Sequence, residues 1–364
     1  MEQPYQDWLQ GRQDALGITV STLAPLVEDV CGDVRGLQDA SRIVSGHSSV
    51  VFDIPTAEGH VIVRAKVAED PAYEAEEWAR LRCRAVGVPA PRIIGVRRAL
   101  REDGSWLSVC VEERCSGRPL AEVFSESGPE SERSLHLAGQ VGAFLSRMHG
   151  VQPDGFGELS GSGAGRHPTY AAHLVHVTDA AVARLAAAPV QGIDLGVVRS
   201  AGDYLQTRAG LLEPPRASLL HKDAGPDHWF VEGDRIVGLI DLEAVEGGDP
   251  AADLAGWDYW RSWPLPYAPT EAVVSGYGDT ALLRPGTLAE RLRLARLVDA
   301  LTTLDFWVAS GRDDATRRSN ELLREEVGRL AAGSPSGDPR APHSGGSALP
   351  GPPREGPFGH PGPR

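Results

Sequence analysis

The chain has 364 residues, 41% hydrophobic and 24% charged, with a formal net charge of −14; it can bury one large or two medium globular domains and has no surplus of Lys and Arg for neutralising nucleic-acid phosphates. Four cysteines, Cys31, Cys83, Cys110 and Cys115, have neither metal-ligand spacing nor the density of a disulfide scaffold, so reduced core thiols are expected. No apolar run approaches the roughly 18 residues of a membrane span and the N-terminus lacks a basic region followed by an apolar stretch, so we expect a cytoplasmic protein, monomeric or weakly dimeric, that binds neither membrane nor nucleic acid.

Taken in order, Trp8, Leu9, Leu16, Leu23, Leu26 and Val30 recur at helical intervals and predict two short leading helices. From Arg42 the texture changes to β-branched runs, Ile43-Val44, Val50-Val51-Phe52-Asp53-Ile54 and His60-Val61-Ile62-Val63-Arg64, separated by turn residues, which predicts an antiparallel sheet. The turn Gly46-His47-Ser48-Ser49 is either a plain hairpin turn or a place where backbone amides lie over nucleotide phosphates. Pro71 to Ala85 reads as a helix with Trp78, Leu81 and Ala85 on one face. Pro89 and Pro91 end it, and Ile93–Val96 and Trp106–Glu113 supply two more strands.

Leu137, Val141, Phe144, Leu145 and Met148 mark a helix from Leu135 to His149, with His149 a structural histidine at its end. The Gly/Ser-rich stretch from Gly155 to Arg166 predicts a loop, and two helices near 168–188 and 194–212 follow. The chain then enters its densest polar segment, His221-Lys222-Asp223-Ala224-Gly225-Pro226-Asp227-His228. A strand at Trp229–Val231, a tight turn at Gly233-Asp234 and a second strand ending in Asp241-Leu242-Glu243 complete a hairpin. Folding that hairpin brings Asp223, Asp227, His228, Asp241 and Glu243 towards one pocket. Magnesium takes one or two carboxylates plus substrate phosphates and water, which leaves another carboxylate to accept a hydroxyl proton. Asp249 can cap a helix that starts beside it, because a carboxylate at a helix N-terminus satisfies orphan amides and the dipole. Asp253 reads as a structural holder of the polar loop, and Trp257, Tyr259, Trp260 and Trp263 read mostly as core. Helices near 268–277, 284–309 and 313–332 follow. From Gly333 the composition collapses into Gly, Pro, Ser and Arg, predicting a disordered tail over 333–364.

The pattern His221-x-Asp223, four residues, His228, then Ile240-Asp241 closing a hairpin and Gly248-Asp249-Pro250-x-x-Asp253-Leu254-Ala255 resembles the catalytic segment of the aminoglycoside phosphotransferase family, relatives of the protein kinases. There it reads His-Gly-Asp-x-x-x-x-Asn and later Ile-Asp. The resemblance covers about residues 40–332. It implies an α+β, protein-kinase-like two-lobe fold: a small antiparallel sheet lobe with leading helices over 1–114 and a larger, mainly helical lobe over 115–332. It also implies transfer of the γ-phosphoryl group of ATP or GTP, with Mg2+, to a hydroxyl of a small molecule. An aminoglycoside, a macrolide or a metabolite is the implied acceptor; a catalytically silent nucleotide-binding relative is the alternative.

Carried over residue by residue, the resemblance makes Asp223 the base, buttressed by His221, while Lys222 either contacts the transferred phosphoryl group or points to solvent. Asp241 becomes the metal ligand, assisted by His228 or Asp227; His228 stands where the family has Asn, as in macrolide-type members. Gly46, His47, Ser48 and Ser49 cover the nucleotide, and Arg64, or Lys66, meets its α- and β-phosphates. Glu74 pairs with that cation, with Glu76 and Glu77 as alternatives. Glu112, Glu113 and Arg114 form the lobe connection whose backbone meets the adenine edge.

Overall fold

The structure is a computed structural model describing residues 3–32, 36–44, 49–68, 73–188, 192–210, 214, 216–263, 265–278 and 281–331. The expected nucleotide-covering residues Gly46, His47 and Ser48, and the expected disordered tail over 333–364, lie outside the described residues. The chain divides into two compact units, residues 1–69 with 94–111, and residues 70–93 with 112–336.

In the first unit, helices α1 (Gln3–Ala15) and α2 (Val20–Cys31) accompany a five-stranded sheet built from β1 (Ser41–Ile43), β2 (Val50–Thr56), β3 (Gly59–Val67), β4 (Ile93–Leu100) and β5 (Trp106–Glu113). The strand order is β1-β2-β3-β5-β4, with β2 and β3 antiparallel and Val51 opposite Arg64. Alternation along β2 buries Val50, Phe52 and Ile54, which share a core with Leu23 and Val27 of α2. Thr19 fixes the start of α2: its hydroxyl accepts from the Thr22 N–H, and the Thr22 side chain returns the bond.

The second unit is mainly helical: α3 (Glu74–Ala85), α4 (Leu120–Ser127), α5 (Glu132–His149), α6 (Tyr170–Ala187), α7 (Leu195–Ala209), α8 (Ala251–Trp260), α9 (Thr270–Tyr277), α10 (Pro285–Ser310) and α11 (Asp313–Ala331). Short strands are threaded among them: β6 (Arg118–Pro119), β7 (Phe156–Leu159), β8 (Gly165–His167), β9 (Ser218–Leu220), β10 (Trp229–Glu232), β11 (Arg235–Leu239) and β12 (Glu246–Gly248). They form two sheets, ordered β11-β10-β6 and β8-β7-β12-β9. One apolar core gathers Leu137, Leu145, Trp229, Leu242 and Trp257; another gathers Leu174, Leu205, Leu297, Leu304 and Leu323. Among the described residues no helix is long and apolar enough to cross a membrane.

Five features depart from the sequence reading. Helix α3 belongs to the larger unit rather than to an N-terminal lobe ending at 114, because its Ala79 and Cys83 enter the core that holds Leu145 and Trp229. Its inner face is not the Trp78–Leu81–Ala85 stripe, since Leu81 is 64% exposed while Glu76 and Arg80 are each 2% exposed. The expected loop over 155–166 is the β7–β8 hairpin, and residues 246–248, read as part of the approach to α8, form β12 between β7 and β9. Gly247 lies so close to the Gly155 carbonyl that a Cβ has no room there, so these strands are short and glycine-bearing and show no apolar alternation. Helix α4, which follows Pro119, was not anticipated.

A buried ion cluster orders α3. Arg80 Nε donates to Glu76 Oε1 at 3.0 Å, its terminal nitrogen pairs with Glu112 Oε2 at 2.7 Å, and a further N–H reaches the Pro91 carbonyl at 3.1 Å. Replacing Arg80 by Met leaves two buried carboxylates without the guanidinium they share. The expected result is a loss of about 3–5 kcal/mol of unfolding free energy, measured by urea denaturation of Arg80→Met against wild type.

Candidate active site

Strand β9 delivers the chain into the polar loop, and β10 and β11 carry it back. Trp229 faces Leu239 across the hairpin, and the Ile240 N–H donates to the His228 carbonyl at 3.0 Å, which brings Asp241 back beside the loop. Ligand atoms of Asp223, His228 and Asp241 all lie within 4.8 Å of one another. His228 holds the cluster together: Nδ1–H donates to the Asp223 carbonyl at 2.6 Å, and Nε2 lies 3.5 Å from Asp241 Oδ2. Burial disfavours charging this imidazole, but the carboxylates of Asp223 and Asp241 outweigh it and push its pKa up to about 9.

The loop is fixed from behind by Asp253 on α8. Its carboxylate accepts the backbone N–H of His221 and of Lys222, each at 2.8 Å, and the Nε2–H of His149 at 3.0 Å. His149 Nδ1 in turn meets the Tyr277 hydroxyl at 2.9 Å. Burial by itself would raise the Asp253 carboxyl; the His149 bond and charge and the His221 N–H override it and hold it down at about 2. His221 is fully buried, donates Nε2–H to the Ile240 carbonyl at 3.1 Å and accepts the Asp223 N–H on Nδ1 at 3.2 Å. Burial, then the neighbouring His228, lower its pKa, so it stays neutral and braces the loop.

Lys222 is half-buried rather than turned out to solvent. It adopts a left-handed backbone, φ 67°, and its ammonium reaches Asp299 Oδ1 on α10 at 3.5 Å. Burial opposes its charge, but Asp299, Glu246 and Asp253 prevail and raise its pKa. Beside Asp223 lies a narrow cleft open to solvent, walled by Lys222, Gly225, Gly256, Trp257, Trp260 and Tyr267. Trp257 and Tyr267 meet edge to face at 5.0 Å, and Trp257 Nε1–H is anchored on the Ala268 carbonyl at 2.9 Å. Trp257 and Tyr259 are core, as expected, whereas half-buried Trp260 faces the cleft.

The profile of the phosphotransferase enzyme family matches residues 39–330. The chain belongs to this family. It is an O-phosphotransferase with a protein-kinase-like α+β fold. Among solved structures, aminoglycoside phosphotransferase APH(4)-Ia matches with a TM-score of 0.68 at 20% identity over 85% of this chain and 98% of that one. A thermostable mutant of the same enzyme, in ternary complex with AMP-PNP and hygromycin B, gives 0.69 at 20% identity over the same shares. The gentamicin complex of APH(2")-IIa gives 0.56 at 14% identity, over 84% and 97%. Macrolide 2'-phosphotransferase MphH from Brachybacterium faecium gives 0.50 at 15%, over 83% and 98%. No curated protein sequence matches the chain.

In this phosphotransferase the site residues read from the sequence do not all meet. Asp223, His228 and Asp241 converge; Asp227 is exposed on the short turn Pro226–His228 and stands outside that cluster. On α3, Glu74 is exposed at the first turn, as is Glu77, and Glu76 is the buried acid. Arg64 is buried on β3, and Ser49 is buried just before β2. Glu112 is buried against Arg80, Glu113 donates its backbone N–H to the Arg92 carbonyl at 3.0 Å, and Arg114 is exposed. Tyr267 and Asp299 were not singled out beforehand; they come from helix-poor and helical segments far along the chain, and nothing local marks them.

The His228 shift has a thermodynamic consequence. A folded-state pKa near 9 against an ordinary imidazole value of about 6.5 contributes stability that is complete below about pH 6.5 and is lost as pH rises through 9. Without added metal, the melting temperature of the wild type should fall across that window, and His228→Asn should show a flatter profile there, as followed by thermal melts at stepped pH.

Proposed function

We propose that this phosphotransferase moves the γ-phosphoryl group of ATP to a hydroxyl of a ring-bearing, polar small molecule held in the aromatic cleft. The observation that carries the reading is the double membership of Asp223. Its carboxylate belongs to the cluster with His228 and Asp241, and it also lines the cleft with Trp257, Trp260 and Tyr267. A hydroxyl in that cleft lies beside a carboxylate that can accept its proton, while the same carboxylate adjoins His228 and Asp241, which suit a cation that would meet the phosphates.

Asp223 orients the acceptor O–H and takes its proton on a carboxylate oxygen as the new O–P bond forms and the bond from the γ-phosphorus to the bridging oxygen breaks, releasing ADP. His221 and Asp253 keep the loop backbone in register, so the base is positioned before the substrate arrives. Asp241 and His228, with ligand atoms within 4.8 Å of Asp223, fit a small divalent cation. Bound there, such an ion would neutralise charge on the phosphates. The Asp241 carboxylate, with phosphate oxygens and water, would suit the oxygen preference of Mg2+, and the imidazole widens the site towards softer ions such as Mn2+. Arg64 is assigned to the triphosphate by family order.

The aromatic wall suits the hydrophobic face of a sugar or a similar saturated ring, with its hydroxyls turned to Asp223. The AMP-PNP and hygromycin B held by the APH(4)-Ia mutant support ATP as donor and an aminoglycoside-like acceptor. Two experiments decide. Asp223→Ala should lower transfer from ATP by about 10²–10⁴-fold with nucleotide affinity unchanged; nucleotide binding without turnover of any acceptor by the wild type would instead make the chain a silent relative. Trp260→Ala should raise KM for the acceptor several-fold with little change in KM for ATP, measured by coupled ADP release with hygromycin B as the first acceptor. An equal effect on both constants would remove the acceptor from the cleft.

A further inference from the structure

Away from the catalytic cluster, three histidines gather where β8 meets α6. His167 ends β8, and His173 and His176 lie one turn apart on α6. The rings of His167 and His176 are 5.0 Å apart between centroids, and those of His167 and His173 are 5.7 Å apart. His173 is buried, His167 half-buried and His176 exposed. Neither the catalytic reading nor the apolar cores account for three imidazoles in one place.

We propose that His167, His173 and His176 form a site for a borderline transition-metal ion, of which Zn2+ is the representative, separate from the Asp223–His228–Asp241 cluster. An ion about 2.0–2.1 Å from a ring nitrogen lies about 3 Å from that ring's centroid, so imidazoles sharing one ion sit about 5 to 5.5 Å apart. The two measured separations fall close to that spacing. Imidazole ligands select Zn2+, Co2+, Ni2+ or Cu2+ over the hard Mg2+ of a nucleotide site.

The surroundings carry the second part of the argument. Glu246 Oε2 lies 3.5 Å from His173 Nε2, the carboxylate–imidazole arrangement that orients a ligating histidine and leaves its other nitrogen to the metal. That other nitrogen, Nδ1, faces Gly157, where φ is 79° and a Cβ would stand 2.7 Å from Nδ1 and 3.1 Å from His167 Cδ2. The two rings therefore pack directly against the Gly157 backbone, where no side chain fits. Among the described residues, only Asp223, His228 and Asp241 already hold three ligand atoms within 4.8 Å, so binding at the histidines requires at least one of the three side chains to turn. A bound ion would tie β8 to α6 and, through Glu246 on β12, to the sheet that delivers β9 into the catalytic loop.

The test uses the full chain carrying Asp241→Asn, which disables the catalytic cluster, titrated with Zn2+ by calorimetry in excess Mg2+ and with Co2+ by visible absorption. The expected result is one Zn2+ per chain, weakened at least about tenfold by adding His176→Ala, and a tetrahedral Co2+ spectrum that disappears in the same protein. His176 is exposed, so its replacement should leave the fold intact, and circular dichroism checks that it does; the Co2+ spectrum of the parent reports imidazole coordination without any further variant. Zn2+ binding unchanged by His176→Ala, absence of Zn2+ binding once Asp241 is replaced, or a Co2+ spectrum without imidazole character overturns the proposal.

Discussion

A buried carboxylate on α8 sets the geometry of the polar loop. Asp253 collects two successive backbone N–H groups of the loop and the imidazole of His149, and through His149 it reaches Tyr277 on α9. An ionised carboxylate with no exposed side-chain surface is tolerable only with partners of this kind. The dependence runs both ways: the loop satisfies the carboxylate, and the carboxylate dictates where the loop backbone turns. Because those partners come from α5, α8 and the loop, the position of Asp223 is set by helix packing rather than by the loop's own sequence.

That external fixing explains how two non-glycine residues persist in left-handed conformations at the site. Lys222 has φ 67° and Asp241 has φ 61°, each disfavoured by about 1–3 kcal/mol when the surroundings do not impose it. Aspartate tolerates this region because its short side chain can bond locally; lysine has no such excuse. In Lys222 the strain is offset at both ends of the residue, by Asp253 on its N–H and by Asp299 on its ammonium. The family's glycine at this place would adopt the same backbone without strain. The chain instead uses a charged pair to link the polar loop to α10.

What was legible beforehand was what local pattern encodes. Helical spacing located α5, α6, α10 and α11, and the Gly-Asp turn between β-branched runs located the hairpin that returns Asp241 to Asp223. The misreadings share a cause. On α3, the acids at 74, 76 and 77 are chemically alike, and which one is buried depends on Arg80 and Glu112, the latter 36 residues downstream of Glu76 in the sequence. The strands β7, β8 and β12 are three or four residues long, too short for alternation to register, and they exist because partners distant in sequence supply the hydrogen bonds. Lys222 pointing to Asp299 and Tyr267 facing Asp223 are likewise tertiary facts, set by α10 and by the segment after α8.

The replacement of an amide by imidazole at 228 changes more than a ligand type. An Asn would be neutral at every pH, whereas His228 sits between two carboxylates that draw a proton onto it. Before any cation arrives, the proton on His228 supplies a positive charge that keeps Asp223 and Asp241 from repelling each other at close range. A divalent ion entering among the same atoms must displace that proton if the imidazole is to become a ligand, since only a neutral ring nitrogen can coordinate. If the imidazole stays charged, it serves instead as a fixed cation beside the phosphates, and Asp241 carries the coordination with phosphate oxygens and water. The two arrangements differ by one proton released on metal binding, so the histidine makes the electrostatics of this phosphotransfer site depend on pH in a way that the amide of its relatives does not.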